Sequence, residues 1–528
     1  MKDNGFIKGK KVRSSFLSQM KLPALSVAVI LLCGMFSASL SYYTTSGQNI
    51  VDRVTKQVVI PHGVGIGGWL EPEGYMWGSG NYDSPRKIEK AISDLIGPVA
   101  ADSFWLLYHW NFFNEADVKA CKGWGMNAIR IPLCAGIIQQ RDSQPSAPPY
   151  KYLPEGWRIL DSLVVWCDRW QLGIIWDMHT APGSQNGQNI SDVNSPVGSA
   201  TGTATLWTDT STYWPRTKDL WFKIADRYKS NKCIVGYDLL NEPCLTNNGC
   251  NGTFLRKLYI ELTDTIRTVD TMGIMFVEGQ WWARDIQILE PINWDPHLCI
   301  THHEYPPIVN CDGMKGSANG DSWDPCASRI KYNIPIWHGE TGEQGPPYSR
   351  NIQSTTFLNA NNIGYAWWCE KKFNSQNSPW NCPKTSGFNS VLSYWNGGAK
   401  PSASDAKNWL FDQARRTALS YCTFNPDMVK SLLPLDPNGK VSVMPKAVPL
   451  QVGKSCFSNK SGAISFELPV AQNFSVEILD MRGRCVYRTM ASGIKLDISG
   501  KLFPAGLYIV KVEGEKTLLQ PHVAVLHP

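Results

Sequence analysis

Eight short apolar runs recur through the middle of this chain, and they constrain its fold more than any other feature. They cover Gly63–Leu70, Asn127–Pro132, Gly173–His179, Ile234–Glu242, Gly273–Gly279, Leu298–Tyr305, Ile334–Thr341 and Ile363–Glu370. Runs of this length, apolar on both faces, read as strands of a buried parallel sheet. Helical patterns lie between most of them, at Glu155–Trp170, Arg216–Lys229, Phe254–Asp270 and Asn351–Asn361. The alternation predicts an α/β chain folded as a (β/α)8 TIM barrel. The stretch Asp83–Lys122 is long enough for extra helices, and polar excursions at Gly183–Trp214 and Pro306–Tyr332 follow strands three and six. Both excursions leave from the strand exits, where they would wall a cleft.

The chain of 528 residues is longer than one barrel. Six basic residues precede the apolar stretch Leu22–Phe36, which is followed by Ser37, Ala38 and Ser39. That pattern predicts an export signal peptide over 1–40 and a secreted or cell-surface protein. Without the six basic groups and the one acid of its first 22 residues, the net charge falls from +6 to about +1, so no nucleic-acid partner is expected. Residues 50–424 are expected to form the barrel. Residues 425–451, punctuated by Pro426, Pro434, Pro437, Pro445 and Pro449, read as a linker. Over 452–528 short alternating runs (Ala463–Leu468, Phe474–Leu479, Cys485–Thr489, Leu507–Val512) predict a small all-β sandwich. Of the 15 cysteines, three pairs lie close in sequence: Cys244/Cys250, Cys311/Cys326 and Cys369/Cys382. An exported chain can oxidise them, although the connectivity stays open.

Function is concentrated at the strand exits, which carry Arg130, His179, Asn241, Glu242, His303, Tyr305, Glu340 and Trp368. A core needs none of these residues. In a barrel the exits form the active-site face, and two glutamates there, Glu242 and Glu340, suggest acid/base and nucleophilic work. No metal or other cofactor is expected. The cluster His302-His303-Glu304 invites a metal reading, but neighbouring strand residues point to opposite faces, so His302 is expected to pack away from the site. The 22 tryptophans suit a sugar-binding cleft, with Trp69, Trp77, Trp207, Trp281 and Trp282 the candidates nearest strand exits.

Residues 55 to 420 resemble glycoside hydrolase family 5. The resemblance lies in the stretch Asp177-Met-His-Thr-Ala-Pro-Gly-Ser-Gln-Asn-Gly187, in Asp238-Leu-Leu-Asn-Glu-Pro243, in His338-Gly-Glu340 and in Gly364-Tyr-Ala-Trp-Trp368. With Gly65-Ile-Gly-Gly-Trp-Leu-Glu71 it is similar to the branch holding exo-β-1,3-glucanases and related β-glucanases. The resemblance implies that Glu242 is the general acid/base and Glu340 the nucleophile. It implies that Asn241 bonds the sugar 2-hydroxyl, and that Arg130 and Tyr305 hold Glu340 ionised. His179 and His303 would contact the cleaved sugar, and Trp368 would be its stacking floor.

The segments Val476-Glu-Ile-Leu-Asp-Met-Arg-Gly483, Leu496-Asp-Ile-Ser499 and Pro504-Ala-Gly-Leu-Tyr508 resemble a type 9 secretion sorting domain. The rival reading, a carbohydrate-binding module, wants exposed tryptophans, and the sequence has none after Trp409. The expected protein is therefore a monomeric, secreted retaining hydrolase of β-glucan polysaccharide, first of all an endo-β-1,4-glucanase, which meets secretion machinery through its C-terminal domain. The alternatives are a β-1,3-glucanase, a β-mannanase, and a non-catalytic polysaccharide-binding protein on a degenerate barrel.

Overall fold

A computed structural model of the chain describes residues 42–433, apart from 142, 245–248, 306 and 319. It also describes residues 456–526, apart from 461–462, 481–484, 500–501, 504–505 and 515–517. The expected signal peptide and the linker beyond residue 433 lie outside the described residues.

Eight parallel strands close into a barrel in chain order: β1 (His62–Gly65), β2 (Ala128–Cys134), β3 (Gly173–Thr180), β4 (Ile234–Asp238), β5 (Ile274–Glu278), β6 (Leu298–His303), β7 (Ile336–Gly342) and β8 (Gly364–Trp368). The ring shuts where β8 pairs with β1, Trp367 opposite Val64 and Trp368 opposite Gly65. Nearly every strand residue is buried, which is why the runs are apolar on both faces: one face fills the barrel and the other meets the helices. Trp176, Trp221, Trp337 and Trp367 are among the largest wholly buried side chains. At Gly63 a Cβ would come within 1.7 Å of the Ala128 carbonyl oxygen, so only glycine lets β1 approach β2 there.

The helices Pro154–Trp170, Thr210–Tyr228, Gly252–Arg267 and Ser349–Ala360 cover the predicted helical patterns. The segment before β2 does hold extra helices, at Pro85–Ile96, Pro98–Phe112 and Glu115–Gly123. The last begins in a capping box, where Asn114 Oδ1 accepts from the Ala116 N–H at 2.9 Å and Asp117 Oδ2 accepts from the Asn114 N–H at 2.9 Å.

Two expectations are corrected. Cys382 bonds to Cys422, with Cα atoms 4.4 Å apart, while Cys369 stays a buried thiol. A small sheet of Lys371–Phe373, Trp380–Cys382 and Thr423–Phe424 brings residue 422 beside 382, a long-range juxtaposition that sequence spacing cannot display. The pairs Cys244–Cys250 and Cys311–Cys326 are present. In addition, the stretch read as linker starts as a helix, Pro426–Ser431, with Met428 and Val429 buried and the Ser431 hydroxyl accepting from Asn351 Nδ2 at 3.0 Å. Its apolar residues at helical spacing outweigh the proline, which sits harmlessly in the first turn.

Among the described residues the C-terminal region holds five antiparallel strands, at Cys456–Lys460, Ala463–Asp480, Cys485–Ser499, Gly506–Gly514 and Leu518–Leu526. Two runs read as separate strands merge into Ala463–Asp480, which shifts register against its partner between Glu467 and Gln472. Phe474, Val476, Ile478, Ile498, Tyr508, Val510 and Val512 form its core.

Candidate active site

The site is built around Arg130 on β2, whose side chain is wholly buried among the strand exits. Its guanidinium meets four carboxylates. Nη1 donates to Glu340 Oε1 at 2.6 Å and lies 3.1 Å from Asp177 Oδ2; Nε donates to Asp238 Oδ2 at 3.0 Å; Nη2 donates to Glu278 Oε1 at 3.1 Å. Nη2 also donates to Asn241 Oδ1 at 2.8 Å. Each acid comes from a different strand, β3, β4, β5 or β7. A buried cation is tolerable only when paired in this way.

Glu340 lies within β7 near its exit and also accepts a hydrogen bond from Tyr305 Oη at 2.7 Å. Burial by itself would raise its pKa, but the charges of His303, Arg130 and His179 and the Tyr305 hydroxyl outweigh it and bring the carboxyl down to about 2.

Glu242 follows β4, which ends four residues earlier, at Asp238, than the apolar run suggested. Its φ of 43° is left-handed, a conformation a non-glycine residue holds only when its surroundings impose it. The loop after β3 supplies part of that hold. Gln185 Nε2 donates to the backbone oxygens of Asn241 at 2.8 Å and His179 at 2.6 Å, and Asn186 Nδ2 donates to the Glu242 oxygen at 3.0 Å. Burial first, and then the charge of Glu340, lift the pKa of Glu242 above its ordinary value, against the bond from His303. One oxygen of Glu242, one of Glu340 and a ring nitrogen of His303 lie within 4.8 Å of one another.

The remaining expected residues converge on the same place. His303 Nδ1 is 3.0 Å from Glu242 Oε1, while His302 points away and lies 5.4 Å, ring to ring, from His338. His179 holds Asp177 Oδ2 at 2.7 Å through Nδ1 and stacks on Trp368, ring centroids 5.4 Å apart and planes 4° from parallel. Trp368 donates to Tyr75 Oη at 2.7 Å, and Tyr75 donates to Glu343 Oε1 at 3.0 Å. Gly67 leaves room for the ring of Trp368, since a Cβ there would come within 2.6 Å of it.

Three of the expected cleft tryptophans are scaffold instead. Trp69 and Trp77 are 1% exposed, the first donating to the His109 oxygen and the second packed among Phe104, Tyr108 and Phe388; Trp207 is buried and donates to the Gln185 oxygen. Trp281 and Trp282 remain half-exposed.

Five buried acids around the site escaped the sequence reading: Glu71, Glu73, Asp177, Asp238 and Glu278. Asp177, Asp238 and Glu278 left a signal, because a carboxylate inside an apolar strand demands a buried partner. Glu71 and Glu73 follow β1 and lie beside His179; one donor atom from each of the three falls within 4.8 Å of the others. Burial, with Glu340 and Glu242 nearby, lifts Glu73 to about 8. Among the described residues this trio and Glu242–His303–Glu340 are the groupings able to hold a cation. In the second, both oxygens of Glu340 already accept hydrogen bonds.

A family model described as cellulase (glycosyl hydrolase family 5) matches residues 101–374, and one described as a secretion system C-terminal sorting domain matches residues 459–525. A protein named beta-xylosidase from Phanerodontia chrysosporium is 30% identical over 322 residues, which cover 59% of this chain and 63% of that relative, so the chain spans less than two thirds of its length. Glucan 1,3-beta-glucosidase 1 of Schizosaccharomyces pombe is 25% identical over 359 residues, covering 64% of this chain and 81% of the relative. A solved endogalactoceramidase superposes at a TM-score of 0.49 with 14% identity, over 87% of this chain and all of that one.

Replacing Arg130 by Met should cost about 3–5 kcal/mol of stability at neutral pH, because it strands buried carboxylates without their cation. Glu340 is depressed in the folded state, so its share of that loss is full above an ordinary glutamate pKa and disappears as pH falls from there towards about 2. Denaturant unfolding of both proteins at pH 7 and pH 4 should show the gap narrowing on acidification. A gap that widened would contradict this account of the cluster.

Proposed function

We propose, because the chain belongs to glycoside hydrolase family 5, that it hydrolyses β-linked glucan with retention of configuration at the anomeric carbon. The observation that carries the mechanism is the pairing of Glu242 and Glu340, with oxygens within 4.8 Å and opposite electrostatic surroundings. Retaining enzymes hold their carboxyl groups roughly 5–5.5 Å apart, whereas inverting ones leave space for a water at roughly 6.5–9.5 Å.

In this reading Glu340, ionised by its cationic neighbours, attacks the anomeric carbon. Glu242, kept protonated by burial and by the charge of Glu340, gives its proton to the departing oxygen. The glycosyl ester then cancels the charge on Glu340, the pKa of Glu242 falls, and Glu242 takes a proton from water as the ester is hydrolysed. Asn241, oriented by Arg130, is placed to bond a sugar 2-hydroxyl as positive charge develops. His179 and His303 would line the sugar being cleaved, and Trp368 would form its floor. Tyr305 and Arg130 keep the nucleophile aligned.

A family model described as cellulase makes β-1,4-glucan the first substrate to test. The Schizosaccharomyces pombe relative, named a glucan 1,3-beta-glucosidase, favours β-1,3-glucan as the second. The C-terminal region matches a sorting domain, which supports delivery of the enzyme outside the cell.

Glu340→Gln should lose on the order of 10³-fold or more in turnover. Glu242→Ala should lose on the order of 10²–10⁴-fold on substrates with poor leaving groups, while activated aryl β-glucosides regain rate with azide and yield the β-glycosyl azide. Proton NMR of wild-type hydrolysis should show the β-anomer first; the α-anomer appearing first would overturn the mechanism.

Ending the chain after residue 433 should leave hydrolysis of soluble glucan nearly unchanged in a purified-protein assay. In the native host the same truncation should hold the enzyme inside the cell envelope, as read by fractionation. Normal secretion combined with lost binding to insoluble cellulose would replace delivery with carbohydrate binding as the role of this domain.

A further inference from the structure

Glu278 closes β5, and the mechanism above gives it no task. Its side chain is wholly buried, yet its two oxygens touch both halves of the catalytic apparatus. Oε2 accepts from the backbone N–H of Glu242 at 2.5 Å. Oε1 accepts from Arg130 Nη2 at 3.1 Å and lies 3.3 Å from His303 Nε2. The residue is itself clamped, because its N–H donates to Tyr259 Oη at 3.3 Å and its carbonyl oxygen accepts from the same hydroxyl at 2.9 Å.

We infer that Glu278 is the positioning residue of the acid/base: it holds the left-handed backbone of Glu242 through the Glu242 N–H, and through His303 it sets the pH at which Glu242 surrenders its proton. The inference rests on the proposed roles of Glu242 and Glu340.

The backbone half follows from geometry. Glu242 lies beyond the end of β4 with φ at 43°, so no strand partner takes its N–H, and the Glu278 carboxylate receives it instead. A charged acceptor favours that orientation over the relaxed one. With Asn186 donating to the carbonyl oxygen of the same residue, both backbone polar groups of Glu242 are tied to side chains, while its carboxyl lies beside Glu340.

The proton half follows from the imidazole. His303 stands between two carboxylates, with Nε2 facing Glu278 and Nδ1 3.0 Å from Glu242 Oε1. With Glu278 ionised, Nε2 keeps its hydrogen, and a single transferable proton lies between Nδ1 and Glu242. Glycosylation sends that proton from Glu242 to the departing glycosidic oxygen. Deglycosylation takes one back from the attacking water. Glu278 neither gains nor loses a proton at any point.

Other charges face this line from every side: Arg130, Asp177 and Asp238 from β2, β3 and β4, with Glu340, His179, Tyr305 and Glu73 around the site and Tyr259 behind. Burial works against charge on Glu278, but His303, Arg130 and the Glu242 N–H prevail and hold it below its ordinary value. Burial likewise opposes charge on His303, and Glu278 and Glu340 lift it well above the ordinary histidine value. Replacing Glu278 by Gln leaves all of these neighbours in place and removes one negative charge. The shared proton must then leave at lower pH.

The test is the pH dependence of kcat/KM for wild type, Glu278→Asp and Glu278→Gln, measured on an aryl β-glucoside whose leaving group needs protonation. The alkaline limb should move to lower pH by about one unit in Glu278→Gln, and by less in Glu278→Asp, which withdraws the charge by one methylene. Turnover of Glu278→Gln should fall on the order of tenfold or more. Should Glu278→Gln fail to fold, Glu278→Asp carries the same test with the same direction of shift. Lower turnover with an unmoved limb would reduce Glu278 to a structural residue and overturn the inference. Wild-type hydrolysis that survived Glu242→Ala and Glu340→Gln would instead remove the reading on which it rests.

Discussion

A guanidinium buried at the mouth of a closed barrel needs counter-charges, and the chain gathers them around Arg130 from four other strands. The ion cluster ties β2, β3, β4, β5 and β7 together at the end where the chemistry is read. It also decides which carboxylates stay ionised. Glu340 shares Arg130 with three other acids and gains His303, His179 and Tyr305 besides, so it ends far below the usual range. Glu242, just past β4, contacts no guanidinium in the cluster and is left to burial and to the field of its neighbours. The same array that stabilises the barrel mouth thus displaces the pKa values of two chemically identical side chains in opposite directions.

The loops extend this division of labour. Ser184, Gln185 and Asn186, all buried, begin a polar excursion that would be costly without partners. Gln185 and Asn186 find those partners in the backbone oxygens of Asn241 and Glu242, and Ser184 pairs with the hydroxyl of Ser191. The loop after β3 therefore serves the residue after β4, and Glu278 serves it from β5. The disulfide Cys244–Cys250 begins two residues beyond Glu242 in the same segment after β4. Precision at Glu242 comes from this surround, because the residue itself sits in a backbone conformation that a free peptide avoids.

Much of this was legible in the residues. Strands buried on both faces write continuous apolar runs, so all eight could be placed to within a few residues, and polar side chains at their exits stood out because a core has no use for them. What stayed hidden depends on three-dimensional neighbours. Asp177 and Asp238 look like interruptions of a strand until Arg130 is seen between them. Glu278 ends its run just as Glu242 and Glu340 end theirs, but no motif marks it, and its value lies in a backbone N–H supplied from another strand's loop. Trp69, Trp77 and Trp207 sit near strand exits in sequence yet face inward, because position along the chain does not say which way a ring turns once the strand has ended. Cys382 finds Cys422, 40 residues along the chain, through a small sheet whose strands are distant in sequence.

The central claim is that Glu340 forms a covalent bond to the sugar while Glu242 handles the proton. Intact-protein mass spectrometry after incubation with a 2-deoxy-2-fluoro-β-glucosyl fluoride addresses it directly, since the 2-fluorine slows both formation and hydrolysis of the ester while the fluoride leaving group restores the rate of formation alone, so the ester accumulates. The account predicts a single added fluoroglucosyl mass, mapped by peptide digestion to Glu340 and absent in Glu340→Gln. Inactivation with the label on another residue, or turnover without any covalent species at saturating reagent, would contradict it.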